Sequence, residues 1–195
     1  MSMWIRSTSD ERRRSRFESS TARCSLLAMA IYPIRTFPDP VLALEAARVN
    51  EFDSDLRRLT DDMFETMYDA PGVGLAAPQI GISKSVFVAD IGDGPFVMVN
   101  PRIEAVDGKW KYEEGCLSVP GRYWNIKRAD YARAVGQDLD GQPVAFEGDE
   151  LMGRVLQHEI DHLNGILLLE HLSARLRRGA LAELRSETLG KPGVL

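Results

Sequence analysis

Three features of this 195-residue chain predict an α+β fold, with antiparallel β-sheets packed around a central helix and further helices near the N- and C-terminal ends. Apolar residues recur at helical spacing in residues 53–70 and 149–164. Between them lie short β-type runs, and aspartate–glycine pairs punctuate those runs. At 44% hydrophobic and 27% charged residues, the length and composition suit one domain with a core of its own.

The order of elements can be justified from the N-terminus. Residues 1–29 hold six arginines, no lysine, seven serines and three acids, with no helical or strand period. They read as a disordered leader, either a false start ahead of Met29, an organelle transit segment or a plain tail. Residues 30–195 are then a single catalytic domain. Of the chain's 24 basic and 29 acidic side chains, 18 and 26 fall there, a net charge of −8. An acidic body argues against wholesale nucleic-acid binding, which rests on Lys and Arg. No apolar run reaches the ~20 residues of a membrane span, so no membrane partner is expected. Cys24 and Cys116 are too few for a disulfide framework, which suits a reducing compartment and leaves Cys116 free as a ligand or nucleophile.

"YPIRTFPDPVL" (32–42) carries three prolines and predicts an extended, turning segment. Leu56, Leu59, Met63, Phe64 and Met67 then form one helical stripe, capped by Asp53 or Ser54 and ended by Pro71-Gly72. "GVGLAAPQIG" (72–81) reads as a loop. The β runs are "SVFVADI", "FVMVNP", "RIEAV", "WKYEE", "ARAVGQDL" and "PVAFE". Asp93-Gly94, Asp107-Gly108 and Asp140-Gly141 predict hairpin-type turns among them. A second helix runs from about Asp149 to Asn164 with Gly165 as its stop, and a third starts at Ser173 in "LSARLRRGALAELRSE".

The second helix carries the chemistry. Met152, Leu156, Ile160 and Leu163 form its core stripe, while Leu151, Val155, His158 and His162 share a neighbouring face. In "QHEIDHLNG" (157–165) the two histidines lie four apart, one above the other on a helix, with Glu159 between. Two imidazoles so placed can grip a transition metal, and Glu159 can move protons for water held there. Several third ligands are on offer. A long metzincin pattern wants His at 168, where Leu168 stands. A thermolysin-like site would draw on Glu183 or Glu187. The remaining soft ligand is Cys116 in "EEGCLSVPG"; a thiolate, two imidazoles and an open position make a catalytic metal site. A structural metal module is the non-catalytic alternative, with His171 as the spare fourth ligand.

"GVGLAAPQIG", "EGCLS" (114–118) and "QHEIDHLNG", in that order, closely resemble the peptide deformylase family over roughly residues 30 to 185. The resemblance implies removal of the N-formyl group from the starting methionine of new polypeptides. It implies one divalent metal ion, natively Fe(II), replaceable by Zn, Ni or Co. Carried over residue by residue, Cys116, His158 and His162 match the metal ligands and Glu159 the general base and acid. Gln79 and the backbone N–H of Leu117 match the donors to the developing oxyanion. Gly72 and Gly74 permit a turn or let a peptide backbone pair like an added strand, and Gly115 leaves room beside the metal.

Val73, Leu117, Leu151, Val155 and the His158 ring are expected to line a pocket for an unbranched apolar side chain, with Tyr123 and Trp124 at the rim. Arg154 departs from family members with an apolar residue there; its stem is expected at the pocket edge with its charge in water. Glu114 and Arg128 resemble a pair that braces the "EGCLS" strand, or else form a surface ion pair; Asp161 either supports the metal ligands or sits on the helix surface. The expected partners are formylmethionyl nascent peptides and a transient contact with the ribosome, through Arg175, Arg177, Arg178 and Arg185. The expected state is a monomer in the bacterial cytoplasm, or in an organelle if the leader is a transit segment.

Overall fold

Asp53 starts the first helix by accepting from the N–H groups of Asp55 (3.0 Å) and Leu56 (2.9 Å). That helix, α1, spans Ser54–Asp69 and buries Leu56, Leu59, Met63 and Met67, with Phe64 packed beside them. The stripe read from the sequence is therefore its core face. The computed structural model describes residues 30–189, with side chains to residue 187; the expected leader at 1–29 lies outside them.

Seven strands follow: β1 Gly74–Ala76, β2 Val86–Ala89, β3 Phe96–Asp107, β4 Trp110–Gly115, β5 Tyr123–Arg128, β6 Tyr131–Gln137 and β7 Pro143–Gly148. Five make one sheet in the order β1-β2-β3-β6-β7, each neighbour antiparallel; β4 and β5 pair as a second sheet. Helix α2 (Glu150–Leu163) lies against the large sheet, and α3 (Ala174–Leu189) begins after Ser173, whose hydroxyl accepts from Leu176 N–H at 3.4 Å. The α+β expectation and its central helix describe this architecture.

The large sheet sits between the two first helices, and β2 shows how. Val86 and Val88 belong to the core with Leu56, Met63 and Met67 of α1, whereas Phe87 and Ala89 belong to the core with Leu156 and Ile160 of α2. A strand buried on both faces reads as an unbroken apolar run, as "VFVA" does. A third cluster, Val119, Ile126, Leu168, Leu169 and Leu184, joins the small sheet to α3.

Four details depart from the sequence reading. Residues 74–76 were expected as loop, but β1 pairs with β2 there. Strand β5 occupies what read as a rim segment. "FVMVNP" and "RIEAV" are one strand, β3, with an irregularity between Val99 and Arg102. Within it Asn100 adopts φ 50° and clamps Val49, accepting its N–H (2.8 Å) and donating to its carbonyl (2.9 Å). Finally, Asp107-Gly108 joins no hairpin, because β3 pairs with β6 and β4 with β5. Asp140-Gly141 does turn between paired strands, β6 and β7.

Helix α2 reaches the sheet through Gly153. A Cβ there would overlap the carbonyl oxygen of Asp130 and lie 2.7 Å from that of Gly148. Both are backbone atoms that cannot swing aside. Gly179, on α3, would place its Cβ in open space. Gly153→Ala is therefore expected to cost about 1–3 kcal/mol, as overpacked sites do, and Gly179→Ala to gain about 0.4–1 kcal/mol. Thermal unfolding of the two variants checks the opposite signs.

Candidate metal centre

Helix α2 presents His158 and His162 one turn apart, with ring centroids 4.9 Å from each other. Cys116 comes from the turn after β4, and its Sγ lies 3.2 Å from His162 Nε2. The ligand atoms of the three residues all lie within 4.8 Å of one another. A metal with bonds of about 2.0–2.3 Å to nitrogen and sulfur requires such spacing. Burial pushes the Cys116 thiol up, but His162 and His158 outweigh it and bring its pKa down to about 5. The sulfur is then a thiolate, the form that ligates.

Glu159 faces the same space. Both histidines and Glu159 are buried, and the Glu159 Oε2 atom has no hydrogen-bond partner among the described residues. Burial raises its pKa to about 7. A Cβ on Gly74 would overlap Glu159 Oε1, so only glycine lets β1 run this close to the carboxylate. The donor set thus fits a divalent ion, and an unpartnered buried oxygen is left for whatever enters beside it.

Behind His158 stands a charge network. His158 Nδ1 and Glu114 Oε1 are 2.7 Å apart, and Arg128 donates to Glu114 from Nε and Nη2 at 2.8–3.1 Å. Arg154 Nη1 donates to the other Glu114 oxygen at 2.5 Å. Arg128 also donates to Asp161 (2.7 Å), which bonds His171 at 2.7 Å. Burial pushes the Glu114 carboxyl up, yet His158 and Arg128 hold it well below the usual carboxylate range.

Two alternatives read from the sequence are corrected here. The Glu114–Arg128 pair is no surface pair, since Glu114 is fully buried and Arg128 nearly so. Arg154 is also fully buried, and its charge is not in water: it meets Glu114 and the carbonyls of Trp110 and Ile126, with its guanidinium 4.8 Å above the Trp110 ring. Asp161, read as either supporting or superficial, anchors Arg128.

A cavity of about 190 Å³ opens over the centre. Gly72, Val73, Gly74, Gln79, Gly115, Cys116, Leu117, His158 and Glu159 all line it. Gln79 Oε1 accepts from Ala76 N–H at 2.8 Å, which turns its Nε2 toward Ser118 Oγ (3.4 Å) and Cys116 Sγ (3.9 Å). Leu151 and Val155, expected in a substrate pocket, do not line this cavity: Val155 is fully buried in the α2 core and Leu151 packs against that core. The offered ligands Glu183 and Glu187 engage Arg122 instead. The sequence reading missed Ser118, Arg122 and the Arg154 contact. Ser118 stood inside the quoted "EGCLS" segment, whereas the two arginines carried no local signal.

Comparison with known proteins agrees. A family model described as polypeptide deformylase matches residues 31–178. A peptide deformylase of Acidothermus cellulolyticus is 47% identical over 157 residues, covering 80% of this chain and 87% of that protein. The crystal structure of peptide deformylase from Thermus thermophilus superposes with a TM-score of 0.76 at 45% identity, covering 82% of this chain and 96% of that one. That of a Synechococcus elongatus peptide deformylase in complex with actinonin gives 0.74 at 38% identity, over 82% of this chain and 90% of that one.

Replacing Glu114 tests the network. Glu114→Gln strips Arg154 of its counter-charge, and breaking a buried pair from one side costs about 3–5 kcal/mol. Loss of the partner that orients His158 should weaken metal binding by about 10–100-fold. Chelator competition and thermal unfolding on the same sample measure both.

Proposed function

This chain belongs to the peptide deformylase family, and on that premise we propose how its own residues remove the formyl group from the N-terminal formylmethionine of new polypeptides. Cys116, His158 and His162 hold one divalent ion. When bound, the ion supplies positive charge that acidifies water and polarises the formyl carbonyl. Glu159, poised near pKa 7 by burial, takes a proton from the attacking water. The water oxygen bonds to the formyl carbon, and negative charge collects on the formyl oxygen. Gln79 Nε2 and the Leu117 backbone N–H donate to that oxygen as the charge develops. Glu159 then returns its proton to the amine nitrogen, the C–N bond breaks, and formate and a free methionyl amine leave.

The rest of the cavity positions the peptide. Gly72, Val73 and Gly74 let the substrate backbone lie beside β1 as an added strand. Gly115 leaves room next to the ligand cysteine. One observation carries the reading: Glu159, with a buried oxygen that has no hydrogen-bond partner among the described residues, lines the same cavity as Cys116 and His158 of the three clustered ligands. Residues 30–195 form one catalytic domain behind a leader, acting as a monomer in the bacterial cytoplasm, or in an organelle if the leader is a transit segment. Among the described residues no helix is long and apolar enough to cross a membrane. Transient ribosome contact would use Arg175, Arg178 and Arg185, exposed on α3, with Arg177, which is bonded to Glu170.

Fe(II) is the proposed native metal, with Zn, Ni and Co able to take its place on a sulfur and two nitrogens. Iron and a ligating thiolate can both be oxidised. Iron-loaded protein is expected to lose activity in air while nickel-loaded protein keeps it; equal lifetimes count against the iron assignment.

The mechanism is tested at Glu159. Glu159→Gln keeps the side-chain volume and all three ligands, so metal content should match wild type. Formate release from formyl-Met-Ala-Ser should fall by ~10²–10⁴, the usual worth of a positioned acid or base. Acetyl-Met-Ala-Ser should remain uncleaved by either protein. Near wild-type turnover in the metal-loaded variant would mean that Glu159 does not carry the proton.

A further inference from the structure

A second cavity, of about 380 Å³, shares no lining residue with the one over the metal centre. Its walls come from the segment before α1, from β3 and β6, and from the end of α2. Part of this lining is fixed in place. Asn100 sits at the β3 irregularity with φ 50°, a left-handed conformation that asparagine tolerates. Its backbone N–H donates to the Ser85 carbonyl at 2.7 Å and its side chain to Gln137 Oε1 at 2.9 Å, beside the two bonds to Val49. Gly136 allows this closeness, because a Cβ there would lie 2.8 Å from the Val99 carbonyl oxygen. Other polar groups of the cavity are left without partners. Every other arginine between residues 30 and 170 pairs with a carboxylate. Among the described residues the guanidiniums of Arg48 and Arg102 have no ion pair or hydrogen bond, and both line this cavity. The Ser85 hydroxyl and the Asn164 side chain line it too and are equally unengaged.

Two guanidiniums, a hydroxyl and an amide match the oxygens of a phosphate group, which arginine forks bind bidentately. Glu45 is the one acid in the lining, also without an ion pair among the described residues. A single carboxylate beside two guanidiniums makes a poor cation site. Residues 30–195 carry a net charge of −8, which repels a nucleic-acid backbone. A small phosphate ester meets neither objection, and Glu45 can accept from a hydroxyl of its organic part. We propose that this cavity binds a small phosphorylated molecule such as a sugar phosphate, with Arg48 and Arg102 on the phosphate and Glu45 on a hydroxyl. The site stands apart from the deformylase reading, since none of these residues lines the cavity over the metal centre. Its ligand joins the segment before α1 to the end of α2, where Ala46 N–H already donates to the Leu163 carbonyl at 2.8 Å. Binding therefore stabilises the folded chain.

Titration calorimetry on the nickel-loaded full chain at low ionic strength tests this with ribose 5-phosphate, inorganic phosphate and ribose. The ester should bind and raise the unfolding temperature, inorganic phosphate should bind more weakly, and ribose should not bind. Arg48→Gln and Arg102→Gln should each weaken the ester about tenfold, the worth of one charge-assisted hydrogen bond. Formate release by both variants should stay at the wild-type rate, because neither residue lines the cavity over the metal centre. Glu45→Ala should remove the advantage of the ester over inorganic phosphate. No binding of the ester, or binding unchanged in both arginine variants, as for a phosphate held on the metal, would overturn the proposal. Equal affinity for ester and inorganic phosphate in the wild-type chain would mean an adventitious ion only, and would overturn it as well. Absence of formate release from the wild-type chain would sink the deformylase reading and leave this one standing.

Discussion

Glu114 is the constraint on which the rest of the site depends. It is a fully buried carboxylate holding His158 on one oxygen and two arginines on its two oxygens together. Burying such a charge alone would cost several kcal/mol. Arg128 and Arg154 compensate it, and Asp161 pairs with Arg128. The result is a buried, hydrogen-bonded cluster that ties β4, β5 and α2 together behind His158. Its position also fixes chemistry: Gly115 and Cys116 follow Glu114 directly, so a carboxylate locked to His158 brings the cysteine to the same place. Function and stability here share one set of bonds.

The backbone supplies the remaining precision. Helix α2 can sit deep in the domain because Gly153 lets it touch the Asp130 and Gly148 carbonyls. Strand β1 can pass Glu159 because Gly74 has no side chain to intrude. Glu159 is thereby buried between the helix that bears it and a strand edge, which raises its pKa toward neutrality. A more open site would leave Glu159 ionised but a poor match for returning a proton to an amine. The helix at the other end of the chain contributes too, since Glu183 and Glu187 of α3 fix Arg122 on the rim.

Much of this was legible in the sequence, for local reasons. Helix α1 announced itself through a 3.6-residue stripe and an Asp cap, and α2 through two stripes and a terminal glycine. The two histidines needed only their four-residue spacing. What stayed hidden was non-local. Strand β1 has three residues, all buried, so no alternation marks it. Strand β5 does alternate, with Ile126 and Arg128 inward and Asn125 and Lys127 outward, but an inward arginine disguises the pattern. Asp107-Gly108 has hairpin chemistry, yet its flanking strands find other partners. Arg154 looked like a snorkelling surface residue because its counter-charge lies 40 residues away.

The central claim is that one thiolate and two imidazoles, preset by the Glu114 cluster, form a single metal centre. X-ray absorption at the metal edge of the loaded protein tests it most directly. The account predicts one sulfur scatterer at about 2.3 Å and two imidazole nitrogens at about 2.0–2.1 Å. In Cys116→Ser the sulfur should vanish. A metal with no sulfur neighbour in the wild-type protein, or one whose sulfur persists in Cys116→Ser, would contradict it.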